Sequence, residues 1–136
     1  MLHTKAKSLT QVMQKVNDVA MQMGIPANIL KRLVMNESSG RTNIGMDKSN
    51  FSAGLTQVSK PVWTHYTKIP YANASQSAYW QQNLYVGASY LKDMHKEFGD
   101  WKLAMMAYNM GPGNLHKALH GQHVVPEITK KYVQGL

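Results

Sequence analysis

The run WQQNLYVGASYLKDMHKEFGD, residues 80–100, carries the clearest helical pattern in the chain. Trp80, Leu84, Gly87, Leu91, Met94 and Phe98 recur at three- or four-residue steps, which puts them on one helical face. Gly99 ends that helix, since glycine takes the left-handed closing conformation without a Cβ clash. Asp100 then caps a helix running through Tyr108. Beyond it Gly111-Pro112-Gly113 interrupts, Asn114 caps a short helix to His120, and Pro126 opens a last one.

Toward the N-terminus the same signals repeat. Ser8-Leu9-Thr10-Gln11 has the form of a capping box, and Leu9, Val12, Met13, Val16, Ala20 and Met23 follow on one face. Gly24 stops that helix, Pro26 starts the next, and Ile29, Leu30, Leu33 and Val34 form its apolar stripe. Residues 38–52 are rich in Ser, Gly, Asn, Thr and Asp, a long loop of the kind that is commonly functional or disordered. Ala53 to Val58 reads as one or two helical turns broken near Pro61, and residues 63–74 are ambiguous around Pro70. No alternating strand exceeds four residues, so any β-structure is a minor ribbon of two or three strands near residues 41–53. The expectation is a mainly α fold of about six to eight helices, with residues 1–136 forming one domain.

Composition narrows the function. At 136 residues the chain suits a single core. It has no cysteine, which removes disulfides, thiolate metal sites and a cysteine nucleophile. No apolar run is long enough to cross a membrane. Lys5, Lys7, Lys15 and Asp18 spoil any secretory pattern at the start, so the chain reads as made without an export signal or as a mature or excised form. Fifteen Lys and Arg against seven Asp and Glu give a net charge of +8. Only Arg32 and Arg41 are arginines, and the lysines are scattered. Such a field suits loose adhesion to a polyanion, a bacterial wall included, better than base-specific reading of nucleic acid. A merely soluble basic surface is the plainer reading of the same charge.

Of three glutamates, Glu37, Glu97 and Glu127, the first is out of place. It lies seven residues after Leu30, four after Leu33 and three after Val34, on the apolar stripe at its C-terminal end. Hydrophobic neighbours and the negative end of the helix dipole both disfavour its ionised form, which is what a general acid requires. The plainer reading makes Glu37 the first exposed residue of a fraying helix end. Tyr108 and Asn109 stand where another helix terminates, as ordinary end residues or as site groups. His116, His120 and His123 offer imidazoles, but no carboxylate completes a ligand set, and neither metal nor cofactor is assigned. Trp80 and Trp101 read as core, and the ten methionines as core filler.

Four blocks then combine: Glu37-Ser38-Ser39-Gly40; Ser52-Ala53-Gly54-Leu55-Thr56-Gln57; Asn83 with Gly87-Ala88-Ser89-Tyr90-Leu91; and Ala107-Tyr108-Asn109-Met110-Gly111-Pro112-Gly113. In order and spacing they resemble the soluble lytic transglycosylase family, whose lysozyme-like domain is related to goose-type lysozyme. The resemblance runs from about Ile25 to Val133. It implies cleavage of the β-1,4 bond between N-acetylmuramic acid and N-acetylglucosamine in peptidoglycan. One Glu acts as acid and then base, and the muramyl C6 hydroxyl closes a 1,6-anhydro ring. On this resemblance Glu37 is catalytic, Ser49, Gln57, Tyr90, Tyr108 and Asn109 bind substrate, and Gly54 makes a turn where a side chain would crowd the cleft. Two departures stand out. Ser59 occupies a position often held by Met, and Ile128 precedes Thr129 where the family often has Glu, with Glu127 one residue earlier.

The implied partner is the peptidoglycan glycan strand, met by a monomer without specific nucleic-acid binding or membrane insertion. The implied place of action is the bacterial wall or periplasm, for a bacteriophage lysis or virion protein (an endolysin) or for a secreted transglycosylase. Two other readings stay open: a hydrolytic muramidase like goose-type lysozyme, and a non-catalytic basic binding module.

Overall fold

The structure, a computed structural model, describes residues 3–45 and 52–136. Among these residues are seven α-helices, two short 3-10 turns and one two-stranded ribbon, as the mainly α expectation required. The chain divides into two compact units, Met1–Ser89 and Tyr90–Leu136, with the boundary inside a helix.

The first unit opens with α1, Leu9–Met23, which packs on α2, Ala27–Ser38. Ser8 Oγ accepts the Gln11 N–H at 3.1 Å, the predicted cap. The Gln11 side chain, however, accepts from Lys7 N–H, one residue earlier than a reciprocal capping box would have it. Gly24 closes α1 at φ +69° and Pro26 precedes α2. Val12, Val16, Val19 and Ala20 of α1 and Ile29, Leu30, Leu33 and Val34 of α2 are all buried, each large side chain contributing about 1.5–3 kcal/mol. Leu9, placed on that face by its spacing, is half exposed, and Met21 is 85% exposed, so the methionines are not uniformly core filler.

Residues 53–58 are not helical. Strand β1, Ser52–Ala53, lies at the end of the predicted 41–53 region and pairs antiparallel with β2, Val58–Ser59, beyond it. Gly54 at φ +77° and Gln57 at φ +51° turn the chain between them, and neither angle fits a right-handed helix. Pro61 starts a helix rather than breaking one: it stands in the first turn of α3, Lys60–Tyr66, where its missing N–H has no intrahelical acceptor anyway. Two 3-10 turns, Tyr71–Asn73 after Pro70 and Ser77–Tyr79, lead into α4, Trp80–Phe98. The N-terminal arm is tied down here. Trp80 Nε1 donates to the Thr4 carbonyl at 3.0 Å, and His3 stacks on Tyr79 with ring centres 4.3 Å apart.

In the second unit Leu91 and Met94 of α4 are buried, and Gly99 at φ +75° closes the helix. Asp100 caps α5, Trp101–Met110, by accepting the Leu103 N–H at 2.9 Å. α5 runs past Tyr108, ending only at Gly111, whose φ of +91° suits glycine. The chain then enters α6, Pro112–Leu119, at once. Asn114 is inside that helix, bonded to the Met110 carbonyl, rather than at its cap. α7, Glu127–Tyr132, follows Pro126, and α5 packs against both α6 and α7. Trp101 is only half buried, its indole stacked on the His95 ring at 3.8 Å. No described helix is long and apolar enough to cross a membrane.

Candidate functional site

Glu37 occupies the last turn of α2, half buried, directly beyond the Leu33 and Val34 stripe. The chain is folded tightly after it. The buried Ser38 hydroxyl donates to the Val34 carbonyl and accepts the Gly40 N–H, both at 3.2 Å. Ser39 closes the helix at φ +56°, an uncommon angle for a residue with a side chain, and its N–H donates to Met35 O at 3.1 Å. The Ser38 carbonyl accepts both the Arg41 N–H, at 3.1 Å, and Arg41 Nε, at 3.2 Å. Thus an arginine partly offsets the negative helix end beside Glu37. A hollow of about 460 Å³ opens next to this turn, with Lys7, Ser8, Ser39, Arg41, Thr42 and Ser77 in its wall.

Gln57 also belongs to the first unit. It ends the tight turn between β1 and β2, and its N–H and side-chain Nε2 both donate to the Gly54 carbonyl, at 3.1 and 2.9 Å. The turn is held by Asn83 of α4. Asn83 Oδ1 accepts from the Thr56 N–H and hydroxyl, and Nδ2 donates to the Ala53 and Ala74 carbonyls. Gly54 is needed where the resemblance put a turn, but for another reason. A Cβ there would run into the Asn83 amide and the Ala74 carbonyl.

Tyr90, Tyr108 and Asn109 lie in the second unit. The structure brings the two phenol rings together, centres 5.3 Å apart and planes at 54°. Burial, and then the Glu97 carboxylate, push the Tyr90 hydroxyl above its usual pKa of 10.0. Asn109 Oδ1 accepts the hydroxyl of Thr129 at 2.7 Å, and Thr129 is fully buried. Glu127 is exposed and bridges to Lys130 at 3.2 Å, while Ile128 is 69% exposed. Ser49 lies outside the described residues. His116 does meet a carboxylate that its sequence neighbourhood conceals, with Nε2 3.0 Å from Glu97 Oε2. Even so, no three metal-binding side chains gather among the described residues.

Two residues carry more of this architecture than the sequence reading allowed. Asn83 was inside a recognised block and Thr129 stood beside a departure from the family pattern, neither with a role of its own. For Asn83 a signal was available: an amide on an apolar helical face, between Trp80, Leu84 and Gly87, must have partners when buried.

No curated protein matches the chain. A family model described as Transglycosylase SLT domain matches residues 9–128, from the first residue of α1 into α7. With nearly all of its length covered, the chain belongs to the transglycosylase SLT domain family, whose members cleave the glycan of peptidoglycan.

Proposed function

We propose that Glu37 is the single acid and base of a lytic transglycosylase. The carboxyl proton goes to the glycosidic oxygen between N-acetylmuramic acid and N-acetylglucosamine, and the bond from that oxygen to C1 breaks. The resulting carboxylate takes the proton of the muramyl C6 hydroxyl as its oxygen bonds to C1. The 1,6-anhydro ring closes, and Glu37 is protonated again. No water is consumed, so no second carboxylate is needed to activate one.

The observation that carries this reading is the placement of Glu37: half buried, behind an apolar stripe, in the last turn of α2. An apolar setting favours the protonated carboxyl that the first step consumes. Ser49, Gln57, Tyr90, Tyr108 and Asn109 are assigned to substrate binding on the family pattern, and no cofactor or metal takes part. The +8 charge supports action as a monomer at the anionic bacterial wall or periplasm. A bacteriophage lysis or virion enzyme is the origin we favour, ahead of a secreted bacterial one.

Glu37→Gln tests the assignment. Release of muropeptides from purified peptidoglycan should fall about 10³-fold, with circular dichroism unchanged. Near-normal release from the folded variant would end the proposal. Activity should also fall as salt rises, because the wall is held partly by charge.

One observation favours a second reading of the product. With Ile128 exposed and Glu127 paired to Lys130, the acidic group often found before Thr129 in the family is missing from its place. Attack by water, giving a reducing end, is the competing outcome. Mass spectrometry separates the two, since the anhydro product is lighter by one water.

A further inference from the structure

Asn83 is wholly buried, and all four of its amide hydrogen-bonding positions are used. Oδ1 accepts the Thr56 N–H at 2.8 Å and the Thr56 hydroxyl at 2.6 Å. Nδ2 donates to the Ala53 and Ala74 carbonyls, both at 3.0 Å. One helical turn further on, Gly87 leaves the gap that the Thr56 side chain occupies; a Cβ there would overlap it. α4 therefore presents an amide and then a recess, and the turn between β1 and β2 is fitted to both.

The next residue in that turn is Gln57, at φ +51°. A side-chain-bearing residue held there costs about 1–2 kcal/mol, so the surroundings must impose the conformation. The Asn83 bonds to Ala53 and Thr56 hold the turn on one side of it, and Gln57's own N–H and Nε2 both donate to the Gly54 carbonyl on the other. We infer that Asn83 is a positioning residue for substrate: through the turn it fixes where the Gln57 amide is presented to the glycan. This rests on the assignment of Gln57 to substrate binding made above. Released from Asn83, Gln57 relaxes to an ordinary backbone angle and its side chain leaves the binding position, while Glu37, on another element, is not directly disturbed.

A double-mutant cycle on soluble peptidoglycan strands tests the inference, with kcat corrected for the folded fraction measured by thermal melting. Gln57→Ala and Asn83→Ala should each raise KM about tenfold with kcat within about twofold, and the double variant should be no worse than either alone. A merely structural role would instead lower the melting temperature and leave the KM of the folded molecules at the wild-type value, which would overturn the inference. Effects on KM that multiply in the double variant would overturn it too. Should Asn83→Ala fail to fold, Thr56→Val takes its place in the cycle. It removes one bond to Asn83 Oδ1 and keeps the side-chain shape, with an expected rise of about threefold that Gln57→Ala should likewise mask. A wild-type KM in Gln57→Ala overturns the assignment of Gln57 to substrate and the inference together. A Gln57→Ala defect that no loosening of the Asn83 contacts reproduces overturns the inference alone.

Discussion

Two helix ends carry the proposed acid, Glu37, and two of the residues assigned to binding, Tyr108 and Asn109, and they are built differently. At the end of α2, Glu37 is followed by Ser38, Ser39, Gly40 and Arg41, and the bonds of Ser38, Ser39, Gly40 and Arg41 described above each join residues within four positions. At the end of α5, Tyr108 and Asn109 precede Gly111 and Pro112, which end one helix and begin another. There the Asn109 amide is fixed by Thr129, twenty residues later. The bonds named at the first end are local, while the one named at the second depends on α7 being docked. A local turn survives small losses elsewhere, whereas an end held by a distant hydroxyl is only as ordered as the helix that brings it.

Substitutions should expose this contrast. In activity the largest difference separates Glu37→Gln, at about a 10³-fold loss, from Asn109→Ala, at about tenfold, measured as muropeptide release. Equal losses would remove the distinction between a proton-transferring end and a binding end. In stability Thr129→Val should cost about 1–3 kcal/mol in urea unfolding, because a part-buried Asn109 oxygen loses its donor. Ser38→Ala should cost about 1 kcal/mol, the usual net loss for a hydrogen bond, because its buried hydroxyl no longer bridges Val34 and Gly40. The reverse order would mean that α2, not α5, has the more dependent end. Ser39→Gly should stabilise by about 0.5–1 kcal/mol by relieving the left-handed angle. The smallest effect concerns Tyr90. Because its folded pKa is raised, the folded state holds the phenolic proton more tightly than the unfolded one. Stability is then full below pH 10 and falls as pH rises past it, a slope that Tyr90→Phe should flatten.

The same local-versus-distant division explains what could be read from the sequence. α1, α2 and α4 were legible because caps, periodicity and stops lie within each segment. So was the position of Glu37, which follows from counting along α2. Residues 53–58 were not, because Leu55 and Val58 have helical spacing while the ribbon is imposed by Asn83, thirty positions from Ala53. Pro61 was legible as a boundary but not in its direction, since proline breaks a helix from inside and begins one from the first turn. The pairing of His116 with Glu97 and the anchoring of Asn109 by Thr129 are likewise long-range, and a single sequence has no pattern that announces them.

The bond from the Trp80 indole to the Thr4 carbonyl has a practical side. An affinity tag fused ahead of His3 would hang on the very segment that a core tryptophan grips, and any tug on the tag would be felt at the first turn of α4. Removing residues 3–7 should be expected to dim or shift the fluorescence of that indole.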